Sequence, residues 1–195
     1  MHFYLSAKAS KDMGVAEFSS ATGDHNEFAR HWYCHRVTLE RRKCFIMMEA
    51  HTRYAIFCCG LTKPALKKFS LLFVDYFWRH IVSLCAIDDA DFGHIKALAT
   101  NMCKETIYHK GLNKSVQAHI KDAVRQLEWD IQLYGFPEDP GKEFFMSMKA
   151  NKVPRSRYGE KGFIIPLEEF QRLWCELLGV GAVRDSIIDI PRGQI

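Results

Sequence analysis

Long apolar runs are missing from this 195-residue chain. The longest, LLFVDYFW, is broken by Asp75 and flanked by Lys67, Lys68, Arg79 and His80, so it is too short and too charged to cross a bilayer. The N-terminal stretch MHFYLSAKASKD has no extended apolar core, and no signal peptide is expected. Seven cysteines form an odd set without a Cys-x-x-Cys pair. That pattern argues against a zinc or disulfide framework and for buried, reduced thiols. Internal repeats, low-complexity tracts and Asn-Gly hairpin signals are also lacking. These absences lead us to expect a cytoplasmic protein with no membrane partner, no metal and no cofactor.

What is present suits a packed core. Hydrophobic residues make up 48% and aromatic residues 13% of the chain, which excludes global disorder. One domain spanning 1–195 is expected, with 7–30 as a loop-like insertion and 180–195 as a tail. The net charge of +4 permits nucleic-acid contact without demanding it.

Residues 31–60, HWYCHRVTLERRKCFIMMEAHTRYAIFCCG, predict three antiparallel strands at about 31–39, 44–50 and 53–60. From Thr62 and Pro64 the period becomes helical, and ALKKFSLLFVDYFWRHIVSLC reads as a long central helix. Asp88 or Asp89 is expected to cap a second helix and Ser115 to open a third, striped by Val116, Ile120, Ala123, Leu127 and Ile131. TIYHKG reads as an extended link, EFFMSM as an edge strand, and KANKVPRSRYGEKG as a basic loop. A last helix runs from Pro166 to Gly179. The fold class is therefore α+β: an antiparallel β-meander packed against a long central helix, with three further helices.

Side chains alternate along a strand, so each face of the meander can be written out. We pair Leu39 with Cys44 and Ala50 with Arg53. One face then carries Tyr33, His35, Val37, Cys44, Ile46, Met48, Ala55, Phe57 and Cys59, and is expected to receive the long helix. The other gathers Trp32, Arg36, Glu49, His51 and Tyr54 among apolar neighbours, with Arg36 diagonally across from Glu49. It is either a ligand- or partner-binding face or a second core face.

Other candidates are local. His31 and His35 would lie roughly 13 Å apart on one strand, too far for a single ion. A thiolate at Cys34 would need His35 or His51, and no local signature supports that pairing. The DDAD carboxylates (88–91) suit a helix start better than a magnesium site. Asn113, Lys114 and Ser115 stand at a helix N-terminus and can hold an anion there. Lys149, Lys152, Arg155 and Arg157 populate the basic loop, with Tyr158 as a stacking surface, and suit phosphate or nucleic acid.

HFYLSAK, Trp32–Tyr33, Thr52–Arg53, NKSV (113–116) with Asp122, and NKVP (151–154) occur in this order. The arrangement resembles an uncharacterised bacterial domain-of-unknown-function family over roughly residues 2–178. The resemblance implies the architecture and states no activity. The expected function is a non-enzymatic binding or regulatory protein that acts through a protein or nucleic-acid partner, in a bacterial or phage accessory system of defence or counter-defence. The alternative is an enzyme acting on a phosphate-containing substrate.

Overall fold

The computed structural model describes residues 1–20, 29–157, 159 and 161–183. The elements in chain order are β1 (His2–Leu5), α1 (Ala7–Met13), β2 (His31–Leu39), β3 (Arg42–Glu49), β4 (Ala55–Cys58), α2 (Lys63–Lys67), α3 (Phe69–Leu84), α4 (Phe92–Met102), β5 (Ile107–Lys110), α5 (Lys114–Tyr134), α6 (Pro140–Asn151) and α7 (Pro166–Leu178). The strands form one sheet in the order β4-β3-β2-β1-β5. The α+β class and the antiparallel β2-β3-β4 meander are both present, but the sheet is mixed, because β1 runs parallel to β2 and to β5.

Several local expectations change. Ala7–Met13, expected within a loop, is a helix: the Ser6 side chain accepts from the Ala9 amide, and Gly14 ends the helix at φ 73°. TIYHKG contains β5. Asn113, two residues before Ser115, caps α5 by accepting from the Val116 amide. Neither Asp88 nor Asp89 makes a side-chain cap, and a short 3-10 turn precedes α4 instead. Tyr158, Glu160 and the tail from 184 onward lie outside the described residues.

The β2–β3 register is two residues tighter than expected. Leu39 pairs with Arg42, and Glu40 and Arg41 form the turn at φ 45° and 63°. This is the positive-φ geometry that suits a right-twisted hairpin, reached here without glycine. A slip of two preserves each face, so the alternation holds.

Both faces are covered. Trp32, Cys34, Phe45, Met47, Tyr54, Ile56 and Cys58 pack under α3 and α7, against Phe73, Phe77, Phe170 and Trp174. Tyr33, Cys44, Ile46, Met48, Ala55 and Phe57 pack under α5 and α6, against Ile120, Leu127, Ile131 and Met146. The long helix α3 thus lies on the side opposite to the one expected, since both faces are apolar enough to receive it. All seven cysteines are buried and free.

The segment expected as an edge strand is α6, started by Asp139, whose side chain accepts from the Lys142 amide, with Pro140 in the first turn. It performs the edge strand's task with side chains. The Ala55 amide donates to Asn151 Oδ1 (2.7 Å), and Asn151 Nδ2 donates back to the Ala55 carbonyl (2.7 Å). The Phe57 amide donates to Ser147 Oγ (3.0 Å) and the Cys59 amide to Glu143 Oε1 (2.6 Å). Three residues at helical spacing therefore satisfy alternate donors along β4 and the residue that follows it, and close that edge of the sheet.

The first rung carries a pH dependence. Burial pushes the Glu143 carboxyl from 4.5 up to about 7, although the Tyr76 hydroxyl and the Cys59 amide pull it the other way. A raised acid favours the folded state at low pH. Its contribution is complete below about 4.5 and is lost as pH rises through about 7. Glu143→Gln keeps the acceptor and removes the charge. Relative to wild type, the variant should gain up to about 3 kcal/mol between about pH 5 and about pH 8.5. Urea unfolding at both values reads this directly, and a constant difference would count against a protonated Glu143.

Candidate functional site

The sheet face singled out in the sequence is closed by the chain's own helices. Trp32 and Tyr54 are fully buried, with the Trp32 ring edge-on to Phe73 and Phe77. Glu49, also buried, accepts from the His51 amide (2.9 Å), the Thr52 amide (2.6 Å) and the Thr52 hydroxyl (2.8 Å), and so builds the β3–β4 turn. The expected Arg36–Glu49 pair is absent. With the tighter register Arg36 faces Phe45, and its Nε meets Asp12 Oδ2 on α1 at 2.8 Å. His51 is exposed, and its Nε2 bonds with Arg157 Nη1 (2.9 Å).

The basic residues disperse. Lys149 pairs with the buried Asp130 from α5 and lies over the Tyr134 ring. Arg155 is buried and donates to the Ala150 and His119 carbonyls, and burial lowers its pKa to about 10. Lys152 is exposed just beyond α6. Lys149, Arg155 and Arg157 are each engaged with a separate partner. Asn113 caps α5 and its side chain also bonds with Tyr33, while Lys114 is exposed and Ser115 half-buried beside it.

A different place gathers useful chemistry. Neighbouring parallel strands β1 and β5 end at Leu5 and Lys110. From β1 the chain turns into α1, whose Ala9 and Met13 join the core on the α3 side. From β5 it turns into α5 on the opposite side. Where successive connections leave to opposite faces, a crevice opens at the carboxyl ends of the strands. Here it has a volume of about 380 Å³ and is lined by Tyr4, Ser6, Ser10, Phe18, Tyr33, His35, Lys110, Gln117 and Lys121, among others. Gly111 permits the exit from β5: its amide donates to the Leu5 carbonyl (3.0 Å), and a Cβ there would stand 3.3 Å from the Tyr4 and Leu5 oxygens.

The crevice is positive at the rim and aromatic at the floor. Lys110 and Lys121 are exposed and stand in no ion pair among the described residues. The His35 pKa is lowered, first by burial and then by the charges of Lys8 and Lys121. Asp12, on α1, is already held by Arg36 and Lys43. Tyr4 and Tyr33 stack at 4.5 Å, and burial raises both phenols, Tyr33 to about 12. Behind them lies an imidazole cluster. The Tyr4 hydroxyl bonds with His31 Nδ1 (3.1 Å), His109 stacks on Tyr4 (4.7 Å), and His2 Nδ1 bonds with His109 Nε2 (2.9 Å). His31 belongs to this cluster and His35 to the crevice wall. No group of side chains suited to a metal ion occurs among the described residues. Cys34 also lines the crevice, but burial holds its thiol well above the ordinary range, which leaves no thiolate nucleophile. Exposed cations above an aromatic floor can hold an anionic group attached to an apolar body.

Sequence reasoning did not identify Tyr4, Tyr33, His35, Lys110 and Lys121 as one site. The parallel pairing of β1 with both β2 and β5 brings them together, and no local motif marks it. The architecture is that of a mixed-sheet α+β protein with a crevice at a topological switch point, and no described helix is long and apolar enough to cross a membrane. The chain belongs to the family described as Domain of unknown function (DUF6933), whose model matches residues 2–169. That span holds all five strands and the whole crevice. Neither the curated proteins nor the solved structures yield a match.

Proposed function

We propose that this chain is a non-enzymatic binding protein that takes a small phosphate- or carboxylate-bearing molecule with an apolar body in the β1–β5 crevice. The observation that carries this reading is an aromatic-floored crevice whose rim lysines, Lys110 and Lys121, pair with no carboxylate among the described residues. Its volume of about 380 Å³ lies within the usual range for small-ligand sites. Leu112 is 76% exposed at the same lip. A protein partner docking there would sense whether the crevice is filled, which is how the binding role becomes a regulatory one.

Phenyl phosphate is a suitable probe. Titration calorimetry should show it binding to wild type and binding at least about ten-fold more weakly to the Lys110→Glu/Lys121→Glu variant, a difference of about 1.4 kcal/mol. Both side chains are exposed, so the unfolding free energy should stay within about 0.5 kcal/mol of wild type. Equal affinity in the two proteins would remove the crevice from consideration. One observation favours turnover instead: the hydroxyl of Tyr4, which lines the crevice, bonds with the buried His31 imidazole behind it, a proton-transfer couple. Release of inorganic phosphate from the same probe by wild type and not by Tyr4→Phe would establish that alternative.

A further inference from the structure

A second cavity of about 380 Å³ lies between α3, the start of α4 and the start of α6. It is separate from the crevice, being joined to the β4 edge of the sheet through α6. Trp78 and Phe92 approach each other there with ring centres 6.2 Å apart, and Phe144 stands 4.9 Å from the His80 ring. Asp75 and Arg79 sit at the rim and pair with each other at 3.2 Å, so the opening offers no free charge.

His80 gives the cavity its chemistry. It is only 2% exposed, yet it lines the cavity wall. Its Nδ1 bonds with the Tyr54 hydroxyl at 2.8 Å, and no described residue bonds to Nε2. The other acceptor near the Tyr54 hydroxyl is Met148 Sδ at 3.9 Å, a thioether and a weak acceptor. The phenol therefore donates to Nδ1, and the single proton of the neutral ring resides on Nε2. Burial, which lowers the His80 pKa to about 3, keeps the ring neutral near pH 7. An imidazole N–H at the wall of an aromatic slot, to which no described residue bonds, is placed to donate to an acceptor brought by a ligand.

We propose that this cavity binds an uncharged, flat aromatic molecule bearing a carbonyl or ring-nitrogen acceptor, with the ring held among Trp78, Phe92 and Phe144 and the acceptor on His80 Nε2–H. A charged ligand fits poorly, because it would meet a neutral imidazole and a rim whose charges already cancel.

Benzamide is the test probe, with benzoate and toluene as controls. The Trp78 indole N–H, which donates to Asp75 Oδ1, lies at the cavity and serves as the reporter in a heteronuclear NMR titration. Benzamide should shift that signal and bind at least about ten-fold more tightly than benzoate or toluene. Ser83→Trp, a change at an exposed position on the cavity wall, should abolish binding with the fold intact. The crevice variant Lys110→Glu/Lys121→Glu should bind benzamide as wild type does, which keeps this site distinct from the one above. His80→Phe is the second variant: it should reduce benzamide to the toluene level and leave toluene unchanged. Absence of benzamide binding to wild type, unaltered binding in Ser83→Trp, or benzoate binding as tightly as benzamide would each overturn the proposal.

Discussion

Trp32→Ala is expected to lower the unfolding free energy by about 4 kcal/mol and to leave ligand affinity per folded molecule unchanged. The side chain is fully buried, meets Phe73 at 5.0 Å and Phe77 at 5.5 Å, and its indole N–H donates to the Ala29 carbonyl at 2.9 Å. Truncation removes the largest ring from the α3 side of the sheet, and the rigid α3–α7 wall cannot collapse into the space. Urea unfolding measures the loss, and phenyl phosphate titration of the folded variant measures the rest. A drop in affinity with stability intact would restore Trp32 as a binding residue.

Asn151→Leu should cost about 4 kcal/mol, although leucine is the better helix former and has the same branching. The asparagine amide both accepts from and donates to Ala55, and the leucine leaves that N–H and that carbonyl buried and unpaired. Asn151→Asp restores the acceptor but not the donor, and it should fall between wild type and the leucine variant. Because the edge of β4 opens at the same time, the leucine variant should also scatter light at concentrations where wild type stays clear. If both variants unfold with the wild-type midpoint, the side-chain ladder contributes nothing.

The parts of this fold that could be read from sequence are those set by local rules. Pro166 and Gly179 bracket α7 because each suits its end of a helix, and alternation kept the faces of β2 and β3 correct even with the pairing two residues off. Misreadings cluster where a local pattern has two solutions. EFFMSM is a short apolar run that suits a strand or a buried helix, and only Asp139 and Pro140 favour the helix. The α3 side was assigned to the wrong face because both sheet faces are apolar enough to receive a helix. The crevice was invisible for a stronger reason. Tyr4 lies in a four-residue strand whose meaning comes from Tyr33 on one side and His109 on the other, partners far away along the chain.

The ladder between α6 and β4 joins two structures of different pitch. Four residues of helix advance about 6.0 Å, whereas two residues of strand advance about 6.6 Å. The two scales act as a vernier: they coincide at one rung and drift by about 0.6 Å at each rung beyond it. The order of side chains follows that drift. The short hydroxyl of Ser147 stands at the middle rung, and the longer arms of Glu143 and Asn151 reach outward at the two ends. A fourth rung would need a still longer arm, so a helix used this way can finish only a short strand. The four-residue length of β4 is then a property of the helix beside it, and extending that strand would require replacing its neighbour.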